Sequence, residues 1–154
     1  MRLIDYFAKG LERGPDRPAF LDATSTLTYA EVDRIGRGIG SAMMTAGLPD
    51  GVRAAVYSPN DPRAFACIIG IFFAGGVWVP ANARNSVTAN AHFLNLAGCE
   101  CLFYHATFRA EARALQAAVP SIRLTICLDG GDPDGLSLDD FIATGTGELP
   151  EIPD

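Results

Sequence analysis

The feature that most constrains this chain is a regular alternation of short apolar runs with helix-forming segments. The apolar runs read as strands: "AFLD", "LTY", "VRAAVYS", "VWVP", "CECLFYH" and "RLTICLD". From the third run onward, helical segments separate them, with apolar residues spaced three and four apart. Strands that alternate with helices indicate βαβ units. We therefore predict an α/β fold with a mainly parallel sheet and helices on both faces. Its expected central strands are "AAVY", "VWV" and "LTICL".

The strongest helix start lies at Thr28, which Glu31 follows three residues later. In this capping box each side chain accepts a hydrogen bond from the backbone N–H of the other residue. The helix is expected to begin at about Tyr29 and to end at Gly47, where a left-handed residue is wanted. Pro62 suits the first position of the next helix.

A glycine-rich run inside the first of these helices resembles a phosphate-binding loop: Gly36, Gly38 and Gly40, with Ser41 behind them. A phosphate loop places its glycines between a strand and a helix, so that free N–H groups point at the phosphate. Here the helix has already begun, and these N–H groups are expected to form intrahelical bonds. We interpret the glycines as a site of close packing against a neighbouring element.

Composition excludes several classes of protein. The net charge is -6 and the Lys and Arg residues are scattered, which argues against a nucleic-acid partner. The 18 uncharged residues from Ala64 to Ala81 approach the length of a membrane span, but Gly75, Gly76 and Pro80 interrupt them. We predict a buried helix that runs into a buried strand, with no membrane span. Without an export signal, a cytoplasmic location is expected.

The cysteines and histidines give no convincing metal site. Zinc ligands usually pair across a two-residue gap, whereas the close pair Cys99 and Cys101 has a single residue between its members. On a strand, these two thiols would share one face. We expect all four cysteines (Cys67, Cys99, Cys101 and Cys127) to be reduced core thiols. His92 is expected on a helix and His105 at a strand end, with no ligand role for either residue.

Three segments in order carry a family resemblance: "LTYAEVDRIGRGIGSAMMTAGL", "RAAVYSPND" and "IIGIFFAGGVWVPAN". Together they resemble the N-terminal region of the adenylate-forming (AMP-dependent synthetase/ligase) superfamily, and acyl-CoA synthetases most of all. The matching positions, which we expect to be structural, are Thr28, Tyr29, Glu31, Asn60, Gly70, Ala74, Gly75, Val77, Pro80 and Asn82. The resemblance implies a Rossmann-like N-terminal subdomain and a parent enzyme that uses ATP, Mg²⁺ and coenzyme A on a carboxylic acid.

The chain also departs from the family pattern. The usual Gly-Asp pair before the strand at Val52 is replaced by Pro49, Asp50 and Gly51, and no acid follows the loop after Asn82. The Ser/Thr/Gly-rich loop ending in Pro-Lys-Gly, the acidic ribose motif and the late lysine are absent from these 154 residues. We expect an N-terminal fragment: residues 1–143 form an α/β subdomain, and 144–154 form a linker toward the phosphate loop. No catalytic, cofactor-binding or metal-binding residue is expected within the chain. Its expected partners are the remaining subdomains of the parent.

A second hypothesis is a self-contained Rossmann-like module that binds a nucleotide or a partner without catalysis. Such a module needs polar residues at the carboxyl ends of strands. Only "SPND" offers them, with Ser58, Asn60 and Asp61, and we favour a turn followed by a helix cap as the explanation of these residues. Under the fragment hypothesis, an apolar surface around "IIGIFFAGGVWV" is uncovered and favours self-association.

Overall fold

The computed structural model describes residues 2–151 of the chain. Its helices are α1 (Leu3–Arg13), α2 (Tyr29–Thr45), α3 (Pro62–Phe73), α4 (Val87–Ala97), α5 (Arg109–Ala118) and α6 (Leu138–Ala143). Its strands are β1 (Pro18–Leu21), β2 (Thr26–Thr28), β3 (Arg53–Tyr57), β4 (Val77–Pro80), β5 (Cys101–Tyr104) and β6 (Leu124–Cys127). A short 3₁₀ turn, Ala106–Phe108, precedes α5. The alternation of strands and helices that the sequence predicts is confirmed.

The main sheet has four parallel strands in the order β4-β3-β5-β6, and β1 and β2 form a separate antiparallel hairpin. The prediction of three central strands is correct only for "AAVY" in β3. The strands formed by "VWV" and "LTICL" lie at the two edges, and β5 takes the second central place. The reason is topological. The connection through α3 places β4 on one side of β3, and β5 pairs with the other side of β3.

Side chains from successive residues of the central strands enter two different cores. Ala54 and Val56 of β3 face the core shared with α2, α3 and α6, whereas Ala55 and Tyr57 face the core shared with α4 and α5. Both faces of the sheet are therefore covered by helices, as the sequence predicts.

The capping box of α2 forms as predicted. The backbone N–H of Thr28 donates to Glu31 Oε2 at 2.8 Å, and the backbone N–H of Glu31 donates to Thr28 Oγ1 at 3.2 Å. Gly47 follows the helix with φ +70°, the left-handed conformation expected there. The predicted helix start and its glycine stop are both confirmed.

Two predictions about burial are wrong. The strand β4 is not buried, because Val77 is 50% exposed and Trp78 is 39% exposed at the edge of the sheet. Cys99 and Cys101 do not share a face: Cys99 precedes β5 and lies in the core with α4 and α5, while Cys101 lies in the opposite core. All four cysteines are buried and free, in agreement with their expected place in the core.

Within residues 2–151, no helix has both the length and the apolar character that crossing a membrane requires. The uncharged stretch from Ala64 to Ala81 is divided between α3, the turn at Gly75 and Gly76, and β4.

Candidate functional site

The carboxyl ends of β3 and β5 are the expected place for a ligand in this topology. The chain leaves β3 toward β4 on one side, and β5 pairs on the other side, so the connections diverge between these two strands. In open parallel sheets, ligands bind in the crevice outside such a switch point. The segment that follows β3 is the "SPND" turn, the only candidate that the sequence offered.

Asp61, the last residue of that turn, caps α3. Its carboxylate accepts hydrogen bonds from the backbone N–H of Arg63 at 2.8 Å and from the guanidinium of Arg63 at 2.8 Å and 3.1 Å. Burial alone opposes ionisation of this carboxyl, but the hydrogen bonds and the positive charge of Arg63 outweigh it and lower the pKa of Asp61. Asp61 is therefore ionised and paired at neutral pH.

His105 follows β5 and faces this carboxylate. Its Nδ1 accepts a hydrogen bond from the backbone N–H of Thr107 at 3.1 Å, so the neutral ring carries its proton on Nε2. Nε2 lies 3.3 Å from Asp129 Oδ2 and 3.8 Å from Asp61 Oδ2. One imidazole thus lies between the carboxylates that follow β3 and β6.

Asp129 completes the group at the end of β6. Its Oδ1 accepts a hydrogen bond from the backbone N–H of Ala106 at 2.9 Å and one from the thiol of Cys127 at 3.2 Å. Burial opposes ionisation of Asp129, and these hydrogen bonds together with the nearby His105 lower its pKa nonetheless. We call Asp61, Arg63, His105 and Asp129 the strand-end cluster.

The strand-end cluster is chemically saturated. Each carboxylate oxygen already faces a donor or the imidazole, so it has little capacity left for a ligand. Among the described residues, no group of three or more His, Cys, Asp or Glu side chains has the geometry to hold a metal ion. The cluster therefore ties together the ends of three strands and stabilises the crevice.

Among the depressions around the strand-end cluster, one of about 210 Å³ is lined by Arg63 and Asp129, and two more lie nearby. One, of about 630 Å³, lies beside His105 and is lined by Thr107, Arg109 and Glu111. The other, of about 200 Å³, is mainly apolar and is lined by residues at the ends of β3 and β4 and on α3: Val56, Ser58, Asn60, Phe65, Ile68 and Trp78.

Ser58 gives the apolar depression a polar feature. Its Oγ is buried, and among the described residues it is the one buried side-chain polar atom without a hydrogen-bond partner. A buried hydroxyl without a partner costs about 1–3 kcal/mol, so this atom fits a polar group supplied from outside the described residues.

The family-matching positions are distributed over the fold and do not form one site. Thr28, Tyr29 and Glu31 begin α2, where the ring of Tyr29 packs 5.5 Å from that of Phe7. Gly70 lies in α3 against Ile39, and Ala74 and Gly75 end that helix. Those at the carboxyl edge of the sheet are Asn60, Pro80 and Asn82, with Val77 at the amino end of β4.

Sequence reasoning missed the strand-end cluster because it treated His105 alone. The signal was present: Asp61, His105 and Asp129 each lie within four residues of the end of a different parallel strand. The glycine run was interpreted correctly, since Gly36, Gly38 and Gly40 lie inside α2. His92 lies on α4, as expected.

Comparison with known proteins gives a consistent result. The family model described as AMP-binding enzyme matches residues 7–148. A Mycobacterium tuberculosis ligase, named for joining CoA to an octahydroindenyl-propanoyl group, is 30% identical over 141 residues, covering 90% of this chain and 28% of the relative. Syringomycin synthase SyrB1 of Pseudomonas syringae is 30% identical over 82 residues, covering 53% of this chain and 13% of the relative.

Solved structures share the fold. The crystal structure described as a long-chain-fatty-acid CoA ligase from Rhodopseudomonas palustris superposes with a TM-score of 0.84 at 18% identity. The superposition covers 100% of this chain and 38% of that one. The chain therefore has the fold of the corresponding part of that protein and spans well under half of the length of the proteins it matches.

Proposed function

Because this chain belongs to the AMP-binding enzyme family, we propose that it is the N-terminal part of an acyl-CoA synthetase. The observation that carries the proposal is the extent of the similarity to a CoA ligase, 90% of the chain at 30% identity. At the same identity, the similarity to the syringomycin synthase covers 53% of the chain. This difference favours CoA ligation over adenylation of an amino acid on a peptide synthetase.

The proposed reaction has two steps. The carboxylate of the acid attacks the α-phosphorus of Mg-ATP, which gives an acyl-adenylate and releases diphosphate. The thiol of coenzyme A then attacks the acyl carbon, a thioester forms and AMP leaves. Electrostatic stabilisation of phosphate charge dominates the first step. We propose that the groups responsible lie outside residues 1–154, and that the partners of this chain are the remaining subdomains of the parent.

In this proposal the chain is a scaffold. Residues 1–143 form the α/β subdomain, and residues 144–154 lead toward the phosphate-binding segment. The strand-end cluster keeps the carboxyl ends of β3, β5 and β6 in register, so the crevice presents a fixed surface to the subdomains that complete the site. No residue of the chain is assigned a catalytic role.

The test is activity of the longer protein encoded by the reading frame that contains this chain. ATP–diphosphate exchange that depends on a carboxylic acid is expected, followed by thioester formation when coenzyme A is added. Adenylation without thioester formation would contradict the assignment of coenzyme A as the acceptor, and the first step of the proposed reaction would stand. No exchange with any acid, from a folded protein, would contradict both.

The chain alone is expected not to bind Mg-ATP. Titration in a calorimeter should give no heat beyond dilution, with coenzyme A and Mg-AMP as parallel ligands. A micromolar Kd for a nucleotide would support the self-contained module instead. The unpartnered Ser58 Oγ at the switch point favours that second candidate, and a Ser58→Ala variant would then lose the binding.

A further inference from the structure

The glycine run of α2 forms a packing surface that no proposed function explains. We call Gly40 and Ser41, at the end of this run, the small face of α2. A Cβ added at Gly36 would lie 3.1 Å from Ile69 and Phe73 of α3. One added at Gly38 would lie 2.7 Å from Ile142 of α6. The glycines thus admit α3 on one side of α2 and α6 on the opposite side, because they carry no side chains.

The small face receives a segment from the other end of the chain. We call residues 144–150 the strap. The N–H of Gly147 donates a hydrogen bond to Ser41 Oγ at 2.8 Å, across 106 residues of sequence. Ser41 is 2% exposed and Gly147 lies at the surface, so the bond is partly buried, with its acceptor on the buried side. A buried hydroxyl on an otherwise apolar helix face here meets one specific backbone group.

The approach of the strap depends on a second glycine. A Cβ on Gly145 would lie 2.9 Å from Ser41 Oγ and 3.0 Å from the backbone nitrogen of Ala42. The backbone of α2 cannot move aside as a flexible side chain can. Small residues on both sides therefore bring the two backbones together at Ser41.

The rest of the strap follows α2 toward its carboxyl end. Leu149 lies over Gly40, 2.9 Å from the place of an added Cβ. Pro150 shares a small depression with Met43, Leu48 and Val52, next to the amino end of β3. The strap therefore leaves α6, crosses the small face and reaches the amino edge of the sheet along a single path.

We propose that the small face of α2 and the strap form a latch with Ser41 as its positioning residue. The latch fixes where the chain leaves the subdomain and so places the segment that follows. Its consequence for catalysis rests on the proposed function, in which that segment leads to the phosphate-binding loop. A released strap would then weaken productive binding of ATP and leave the binding of the acid unchanged.

Hydrogen exchange on the 154-residue chain tests the latch itself. The Gly147 amide is expected to be protected in the natural chain. In Ser41→Ala and Gly145→Ala its exchange should accelerate by about fivefold or more, the loss that one net hydrogen bond implies. The matched controls are Ser25→Ala in the exposed β1–β2 turn and Thr146→Ala on the exposed part of the strap. Amides of β5 report whether a variant has lost its global fold.

Two exchange results would overturn the latch. The first is a Gly147 amide that is not protected in the natural chain. The second is a Gly147 amide that exchanges at the same rate in Gly145→Ala as in the natural chain, while the amides of β5 stay protected. Kinetics of the longer protein then test the consequence. Ser41→Ala and Gly145→Ala should raise the KM for ATP several-fold, with the KM for the acid unchanged, whereas a purely structural loss would lower the active fraction alone. An unchanged KM for ATP in a released variant would overturn the positioning role. If the longer protein did not adenylate any acid, the proposed function would be contradicted, and amide hydrogen exchange on the 154-residue chain would still test the latch.

Discussion

The strands β4 and β5 have similar apolar character in the sequence and very different surroundings in the fold. All four residues of β5 are buried, with Leu102 and Phe103 fully so. In β4, Val77 is 50% exposed and Trp78 is 39% exposed. The difference comes from place in the sheet, since β5 has a strand on each side and β4 has only β3. The apolar composition of a strand therefore does not by itself show whether the strand is central and buried or lies at a partly exposed edge.

The carboxyl ends of the strands repeat this contrast. Those of β3, β5 and β6 are joined by Asp61, His105 and Asp129, whereas β4 ends in Pro80 and runs into Ala81 and Asn82 outside the strand-end cluster. The central strands β3 and β5 are thus covered by other parts of this chain. On the β4 side, no further strand pairs with the sheet among the described residues, and the edge strand is partly exposed.

The largest expected effect lies in the buried strand. Phe103→Ala removes a ring that is fully buried and lies 6.3 Å from the ring of Phe141. We expect the free energy of unfolding to fall by about 3–5 kcal/mol, from lost burial and the cavity left behind. Urea unfolding followed by circular dichroism measures it, with Phe93→Ala on the exposed face of α4 as the matched control. A loss below 1 kcal/mol for Phe103→Ala would contradict the contrast between the strands.

An intermediate effect is expected at the ends of the buried strands. The pKa values of Asp61 and Asp129 are lowered in the folded protein. A group with a lowered folded pKa contributes stability that is fully present above its unfolded value of about 3.9 and is lost as pH falls through the folded value. We therefore expect this contribution to the free energy of unfolding to fall as pH drops below about 4, because the unfolded carboxyls take up protons there before the folded ones do.

The variants Asp61→Asn and Asp129→Asn separate this contribution from general acid unfolding. Each should lower stability at pH 7 by about 1.5–3 kcal/mol, the range for hydrogen bonds to a charged group. Each should also flatten the decline below about pH 4. Asp139→Asn, at an exposed position on α6, is the control. Parallel pH profiles for all the proteins would show that the strand-end cluster contributes nothing to acid sensitivity.

Local signals in the sequence predicted local structure well. The capping box at Thr28 and Pro62 at the first position of α3 each set a helix start by contacts within a few residues. The α/β class followed from the alternation of strands and helices. These features depend on neighbours along the chain, so one sequence is enough to predict them.

Features that depend on the order of strands were not predictable in the same way. Whether β4 or β5 becomes central depends on which side of β3 each crossover returns to, and neither strand encodes that alone. The face of Cys99 changed because the strand begins at Cys101, two residues later than its apolar run. The strand-end cluster requires β3, β5 and β6 side by side, and His105 and Asp129, which meet there, are 24 residues apart in the sequence.

The smallest expected change in stability, and the sharpest test of the contrast, is at the edge strand. Val77→Lys places a charge on β4 where half of the side chain already meets solvent, so stability should change by no more than about 0.5 kcal/mol.

An uncovered edge with apolar neighbours favours pairing with a second copy, and burial of apolar surface adds about 25 cal/mol per Å² before the costs of association. The natural chain is therefore expected to self-associate, and Val77→Lys should weaken that association. Val77→Thr, which keeps the β-branched shape without the charge, should retain more of it. Sedimentation at several concentrations measures all three proteins. A natural chain that stays monomeric at the highest concentration would mean that the β4 edge is already closed to partners. The self-contained module would then account for this chain better than the fragment of a larger ligase.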